Sequence, residues 1–472
     1  MIKAVRGTRD LLPPDTALWN FVEATARDVF RAYNFQEIRT PIFESTELFS
    51  RGVGEETDIV SKEMFTWEDR RGSESWNLKR AMAIAVTNAP AEAGTVPREQ
   101  FDAMASILRN LVDEGTGQSL TLRPEATAGI VRAYIEHNLG ERGLNKLYCI
   151  GPMFRRERPQ KGRYRQFYQI DAEIIGPPSA GSESPARDAE ILEMLATLLD
   201  RLGITGWTLE LNSVGNSAER VKSNEALRVA LEPVKDQLCG DCQRRAVTNP
   251  LRVLDCKVPE DQPIIDKLPR IADFLDDASK NHFAAVQEIL TAVGIAFTIN
   301  PRLVRGLDYY TRTAFEFTHG ALGAQNAILG GGRYDGLSEA LGGPPAPGIG
   351  FAIGEDRLVM SLQEKDKASA ESVLRKPDVY IAPLGQKDAP GMNAEAARLA
   401  RELRRHDLVV ELGDETFRLK KSFEAATKAG AKYILIVGEN EVKAGAFALK
   451  NLSTGEQVQV PRADLPARIQ AG

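Results

Sequence analysis

Apolar residues recur at three- and four-residue steps over 16–33 (Leu18, Phe21, Val22, Ala26, Val29, Phe30), the spacing of an amphipathic helix. An extended run from Glu37 to Phe43 follows. Residues 71–117 read as two helices. In the second, Phe101, Met104, Ala105, Leu108, Leu111 and Val112 repeat at helical steps behind a helix-starting Pro97. Residues 147–175 look like two strands joined by a basic loop, and 177–187, rich in Pro, Gly and Ser, is a loop. Helical and mixed segments run on to about 300, and Gly-rich strands and turns fill 301–358. The charged stretch 361–377 ends in Lys376-Pro377 and predicts a linker. Beyond it, strand (Val379 to Pro383), helix (Ala394 to Arg405), strand (Leu408 to Leu412), helix (Leu419 to Ala429) and strand (Tyr433 to Val437) alternate. That order predicts a small α/β domain.

Composition narrows the class without naming a function. A chain of 472 residues has room for about two to four domains. Its longest apolar runs, such as Tyr433 to Val437, have strand length and fall short of a membrane span. The first twenty residues carry Arg6, Arg9, Asp10 and Asp15 and no apolar core, so no secretory signal is expected. The presence of only four cysteines points to a reducing compartment, and the expected location is the cytoplasm. The net charge of −6 requires any phosphate-rich partner to be held by a local basic patch against a repelling average field.

Such a patch is present. From Arg155 to Arg165 six of eleven residues are basic. In the strand that follows, alternation puts Phe167, Gln169, Asp171 and Glu173 on one face, with Tyr168, Ile170, Ala172 and Ile174 on the other. Most charge runs are solvated hairpin tips. A strand face that is acidic beneath a cationic loop has no use in core packing. It suits a site that grips polyphosphate with arginine forks and a small cationic or amide-bearing ligand with carboxylates. Further on stand Leu303-Val304-Arg305-Gly306-Leu307-Asp308-Tyr309-Tyr310, then Gly330-Gly331-Gly332-Arg333-Tyr334-Asp335-Gly336, then Pro347 to Phe351 leading into Glu355-Asp356-Arg357-Leu358. Consecutive glycines let backbone approach a ligand closely, or simply make tight turns. An arginine in the first turns of a following helix could reach phosphate. Neither a Walker loop nor a dinucleotide fingerprint is present.

Together these segments resemble class II aminoacyl-tRNA synthetases, and within them the histidyl-tRNA synthetases, from Lys3 to about residue 460. Arg39-Thr40-Pro41 resembles the first class II motif, Phe154-Arg155-x-Glu157-Arg158 the second, and Gly350-Phe351 through Arg357 the third. The Arg305 to Tyr310 segment, the 330–336 run and Thr121-Leu122-Arg123-Pro124-Glu125-Ala126-Thr127 resemble the histidine enzymes specifically.

The resemblance implies a ligase that activates histidine with ATP, as its Mg2+ complex, to histidyl-adenylate and pyrophosphate, then transfers histidine to the 3′ end of its tRNA. It implies a fold of α/β and α+β parts: an antiparallel class II sheet flanked by helices (1–213 and 301–363), a helical insertion domain (214–300), a linker (364–377) and an α/β anticodon-binding domain (378–472). By the same resemblance Glu125 and Thr127 hold the substrate ammonium with help from Gln169, and Glu173 and Tyr310 bond the imidazole. Ala126, Tyr309 and Tyr334 belong to the same histidine-binding set. Arg155 and Arg305 act as catalytic residues on the α-phosphate and the substrate carboxylate. Glu157, Arg163, Phe167 and Arg357 serve ATP, with Phe167 stacked on adenine and Arg357 on the γ-phosphate. Arg158, Gln160 and Lys161 meet the tRNA acceptor end, and Pro41 lies at a homodimer interface.

Some features depart from the pattern. The family usually joins the strands near 67 and 121 by a short turn, where this chain has the helical pair at 71–117; surface decoration and a lid or tRNA contact are the alternatives. Ala126 and Asn34 stand where glycine is common, and no function attaches to Asn34. Cys239, Cys242 and Cys256 could be three zinc ligands with His282 as a fourth, but a second tight pair is missing. Buried packing is the default for such cysteines, and no metal is expected. Two other readings compete. One is the synthetase-like regulatory subunit of ATP phosphoribosyltransferase, which lacks the C-terminal domain and loses motif arginines. The other is a class II synthetase for threonine, proline or glycine, against which the Arg305 to Tyr310 segment speaks.

Overall fold

The computed structural model describes residues 2–54, 57–69, 118–160, 162–320, 327–365, 375–385 and 391–471. The expected helical pair at 71–117 and part of the expected linker lie outside the described residues. The chain divides into two compact units, Met1–Lys367 and Ala368–Gly472.

The first unit is built on an eight-stranded sheet. Its strands are β1 (Gln36–Glu37), β5 (Asn145–Phe154), β6 (Gln166–Ile175), β7 (Trp207–Ser213), β8 (Thr298–Ile299), β9 (Thr311–His319), β10 (Ala327–Arg333) and β11 (Gly348–Gly354), in the order β1-β5-β6-β11-β10-β9-β7-β8. Only the edge pairs β1–β5 and β7–β8 are parallel. The interior is antiparallel, with Glu173 of β6 opposite Gly350 of β11 and Gly331 of β10 opposite Phe351. The strands that carry the candidate chemistry are therefore central, where neighbours on both sides fix their register.

Helix α1 (Asp15–Ala32) buries the expected stripe, Leu18, Val22, Ala26, Val29 and Phe30. Asn34 follows it with φ +62°, the left-handed conformation that ends many helices and that asparagine tolerates better than other side chains. The structure thereby gives Asn34 a turn-forming role. The extended run 37–43 is interrupted around Pro41, whose missing N–H cannot join a ladder. Its far end becomes β2 (Phe43–Ser45), which joins β3 (Phe65–Asp69) and β4 (Gln118–Leu122) in a separate sheet ordered β2-β4-β3. The loop expected over 177–187 is shorter, because α4 (Pro185–Arg201) starts with Pro185 behind a Ser184 cap that accepts Ala186 N–H. Before it come α2 (Thr46–Val53) and α3 (Thr127–Glu136); after it come α5 (Ser217–Leu231), α6 (Gly240–Thr248), α7 (Asp277–Ala292) and α8 (Glu355–Lys365).

A buried ion pair ties these layers together. Arg333 at the end of β10 and Asp188 of α4 are both fully buried and paired, and Asp188 also accepts from Thr313 Oγ1 at 2.6 Å and meets His282 Nε2 of α7 at 2.8 Å. Burial would raise the Asp188 carboxyl, but Arg333 and His282 outweigh it and hold it below the usual range.

The second unit has a five-stranded sheet ordered β13-β12-β14-β15-β16. Strands β12 (Val379–Pro383), β13 (Val410–Leu412) and β14 (Tyr433–Val437) are parallel, with α9 (Asn393–Arg404) and α10 (Leu419–Ala429) between them. Val379, Ile381, Leu399, Leu403, Leu435 and Val437 form its core. Two antiparallel strands not read from the sequence, β15 (Ala446–Asn451) and β16 (Gln457–Pro461), complete it. Among the described residues, no helix is long and apolar enough to cross a membrane.

Candidate active site

Strands β6, β9, β10 and β11 form the floor of a cavity of about 300 Å3, with the β5–β6 hairpin and the segment before β9 among its walls. It is lined by Glu125, Thr127, Arg155, Glu157, Arg163, Phe167, Gln169, Glu173, Arg305, Tyr309, Tyr310, Tyr334 and Arg357. Thirteen side chains expected from distant segments thus share one pocket. Ala126 does not line it: at 1 % exposure it packs behind, against Ile130, Cys149 and Met153. Arg158 and Gln160 are exposed on the hairpin beyond it, Pro41 is exposed elsewhere, and Lys161 lies outside the described residues.

One end of the pocket is acidic. Gln169, Asp171 and Glu173 project from β6, as period-two alternation requires, and all three are buried. Glu173 accepts from Thr127 Oγ1 at 2.6 Å. Glu125 accepts from Thr127 N–H and Ala128 N–H, both at 2.9 Å, so the start of α3 holds its carboxylate. Burial pushes Glu173 up to about 8 and also raises Asp171 well above the usual carboxylate range, with the neighbouring carboxylates adding to the effect. Gln169 Oε1, Asp171 Oδ2 and Glu173 Oε2 are buried acceptors with no hydrogen-bond donor among the described residues. Buried acceptors of this kind are complementary to a ligand rich in N–H donors. Tyrosines close the wall: the rings of Tyr309 and Tyr310 lie 4.8 Å apart, those of Tyr309 and Tyr334 5.9 Å.

The other end is cationic. Arg155 is steered by a bond from Nε to Pro124 O at 2.9 Å, and its guanidinium sits 5.2 Å from the Phe167 ring centre. Arg305 is held by Glu316 at 2.9 Å. Arg357, in the first turn of α8, donates to Ala327 O at 3.1 Å, and burial together with nearby Arg163 lowers its proton affinity. Arg163 pairs with Glu157 at 3.2 Å. Cations held this close together favour a ligand carrying several negative charges.

The glycines have a different use from the one expected of them. A Cβ on Gly350 would lie 1.5 Å from Glu173 Oε2, and one on Gly330 would lie 2.5 Å from Arg305 Nη1. They make room for the protein's own site residues beneath the ligand space.

This pocket sits in a chain whose relatives are known. Residues 95–358 match the family model described as histidyl-tRNA synthetase, and 378–472 match an anticodon binding domain. The chain belongs to the histidyl-tRNA synthetase family. It is 65% identical over 471 residues to a histidine–tRNA ligase of Koribacter versatilis, covering 100% of this chain and 96% of that one. It is 53% identical over 473 residues to one from Solibacter usitatus, covering 100% and 99%. Among solved structures, the apo S. aureus histidyl-tRNA synthetase is similar over 100% of both chains, with 33% identity and a TM-score of 0.73.

Three acidic lining residues were missing from the expected set, Asp171, Glu316 and Asp356. Asp171 was visible on the polar strand face, and only its role went unassigned. Glu316 is an acidic residue between Phe315 and Phe317 on β9, a pattern that marks a lone inward carboxylate. Asp356 accepts from Arg9 at 2.6 Å and from Tyr168 N–H at 3.3 Å, a link over 347 positions that spacing does not reveal. His282 is corrected: it bonds Asp188 and is not a partner of the cysteines.

Proposed function

We infer that the chain is an ATP-dependent ligase that joins histidine to its tRNA, and that the pocket described above is where histidine is activated. The observation that carries this reading is the convergence of Glu125, Glu173 and Gln169 with Arg155, Arg305 and Arg357 around one cavity. One end matches an ammonium and an imidazole, the other a triphosphate.

In this reading the ammonium sits against Glu125 and Thr127, and the imidazole N–H bonds toward Glu173 and Tyr310. The tyrosine wall excludes water. The substrate carboxylate oxygen then attacks the α-phosphorus, a P–O bond forms, and the bond to the β-phosphate oxygen breaks to release pyrophosphate. No proton has to leave the attacking group, so no general base is required. Arg155 and Arg305 supply positioning and charge stabilisation as negative charge shifts onto the phosphoryl oxygens. Glu316, bonded to Arg305, fixes the guanidinium in advance of the ligand. Magnesium arrives as part of the ATP complex, and Glu157 and Glu316 are the carboxylates on the cationic side that would face it.

The exposed Arg158 and Gln160 on the hairpin, with Lys161, meet the acceptor end of the tRNA in the second step, and the C-terminal unit serves the anticodon. The chain acts as a homodimer through the face around Pro41. Ile42, Phe43 and Trp67 are 45 %, 53 % and 40 % exposed there, and large apolar side chains clustered on one surface mark an interaction site. The expected location is the cytoplasm. Histidine-dependent ATP–pyrophosphate exchange tests the activity: exchange with histidine alone among amino acids, lost in Glu173→Ala and Arg305→Ala, supports it. Histidine binding without exchange would overturn it.

A further inference from the structure

Outside the pocket, three cysteines and one carboxylate meet in the helical region between β7 and β8. Cys239 caps α6, Cys242 lies in its first turn, Cys256 follows the short helix Pro250–Val253, and Asp261 ends the turn Pro259–Asp261. One ligand atom from each lies within 4.8 Å of all the others. Cys239 Sγ and Cys256 Sγ are 3.9 Å apart, and Cys256 Sγ is 3.2 Å from Asp261 Oδ2. A tetrahedral zinc with Zn–S near 2.3 Å and Zn–O near 2.0 Å has S···S edges of about 3.8 Å and S···O edges of about 3.5 Å. The Cys239–Cys256 and Cys256–Asp261 edges lie within about 0.3 Å of those lengths, and no pair among the four atoms is separated by more than 4.8 Å.

We propose that Cys239, Cys242, Cys256 and Asp261 bind one structural Zn2+. Asp261 is 1 % exposed and Cys242 fully buried, and aspartate is almost never buried to that degree without a charged partner or a metal. The carboxylate's protein partners are the Cys239 N–H at 2.9 Å and the Cys256 thiol. Binding would displace the three thiol protons and leave a site of formal charge −2. The surroundings suit that charge. Val258 N–H points at Cys256 Sγ at 3.4 Å, and two of the cysteines sit at the positive end of α6. Arg302 bonds Leu254 O, Cys256 O and Gln262 around the same loop. All four positions would be filled by protein, so the metal would be structural and not catalytic.

Its use follows from what the loop holds. The apolar cluster around the cysteines includes Val253, Leu254 and Val304, and Val304 immediately precedes Arg305. The same loop brings Asn249 to Asp308 at 3.0 Å. The metal would act as a positioning element behind the Arg305 to Tyr310 segment.

The test is metal analysis of the full-length protein expressed with added zinc and passed through chelator-washed gel filtration. One zinc per chain is expected, falling below about a tenth in Cys256→Ser and Asp261→Asn but unchanged in Cys149→Ser, a cysteine buried in the catalytic sheet. Exchange of the zinc for Co2+ should give the intense visible bands of a tetrahedral thiolate complex, a readout on the wild type that stands even where a variant fails to fold. Zinc-free wild-type protein with no cobalt spectrum would overturn the proposal. So would a Cys239–Cys256 disulfide in metal-free enzyme, or stoichiometric iron in place of zinc.

Discussion

Glu173→Gln separates the charge of the pocket's deepest carboxyl from its shape. Glu173 is fully buried and pushed up to about 8 by that burial, so at neutral pH the ligand-free pocket holds it mostly protonated, a state glutamine imitates. If Glu173 accepts the imidazole N–H as proposed, histidine bonds best to the ionised form and binding must expel the proton. The sign follows: affinity rises with pH until about the folded pKa of 8 and is level above it. Ionising the group at pH 7 costs about 1.4 kcal/mol, and a bond to a charged acceptor returns about 1.5–3 kcal/mol. Wild type should therefore exceed Glu173→Gln in kcat/KM for histidine by roughly tenfold to a hundredfold at pH 8.5. That ratio should shrink by about tenfold per pH unit below 8, approaching unity near pH 6. The substrate's own imidazole titration is common to both enzymes and cancels. The assay is ATP–pyrophosphate exchange with histidine varied from about pH 6 to 9, alongside calorimetric histidine binding in buffers of different ionisation enthalpy. Wild type should release close to one proton per histidine at pH 7, and the variant none. A ratio that does not change with pH would refute the assignment of Glu173 as the titrating acceptor, whatever its size.

Other perturbations reach other parts of the molecule. Arg305→Ala removes a charge preset by Glu316 and should lower kcat for exchange by about 10²–10³-fold with a smaller change in KM for histidine, read in the same exchange assay. Arg158→Glu should leave exchange within about twofold of wild type. It should raise KM for tRNA in the aminoacylation assay by tenfold or so and flatten its salt dependence, because one phosphate contact becomes a repulsion. Asp188→Asn removes the fully buried partner of Arg333 and leaves it the part-exposed Asp335 at 3.3 Å, and should cost up to about 3–5 kcal/mol in denaturant unfolding. In wild type the depressed Asp188 carboxyl stabilises the fold above its unfolded pKa near 4, and this contribution should fade as pH falls below that value. Phe43→Glu on the exposed apolar face should convert a dimer to monomer in light scattering at micromolar concentration; an unchanged mass would place the interface elsewhere.

What could be read from the chain beforehand divides along physical lines. Amphipathic α1, the β5–β6 hairpin and the β12-to-β14 alternation are local patterns, and their side chains repeat with the period of the element they form. The acidic face of β6 was legible for the same reason: period-two alternation decides which residues point together, so Gln169, Asp171 and Glu173 had to share a surface. Asp188, Arg333 and His282 form a single buried network from residues up to 145 positions apart, and no spacing rule connects them. His282 looked like a candidate ligand because its true partner is invisible at that range. Asp261 shows the complementary failure. It lies only five residues after Cys256, yet a carboxylate in a loop is too common to signal anything until Pro259 turns the chain back on the cysteines. The glycines are the most instructive case. Their density at 330–332 and 348–350 correctly marked a place where backbone is closely approached. At Gly350 and Gly330 the atoms that approach are those of Glu173 and Arg305, brought from other strands and segments, while Gly331 and Gly332 are approached by neighbouring backbone and Gly348 by Tyr334. A glycine reports that space is needed, and only the assembled sheet says for what. Here that means the two ends of the pocket are coupled to the packing of β10 and β11, so substitutions at Gly330 or Gly350 should act on substrate binding before they act on stability.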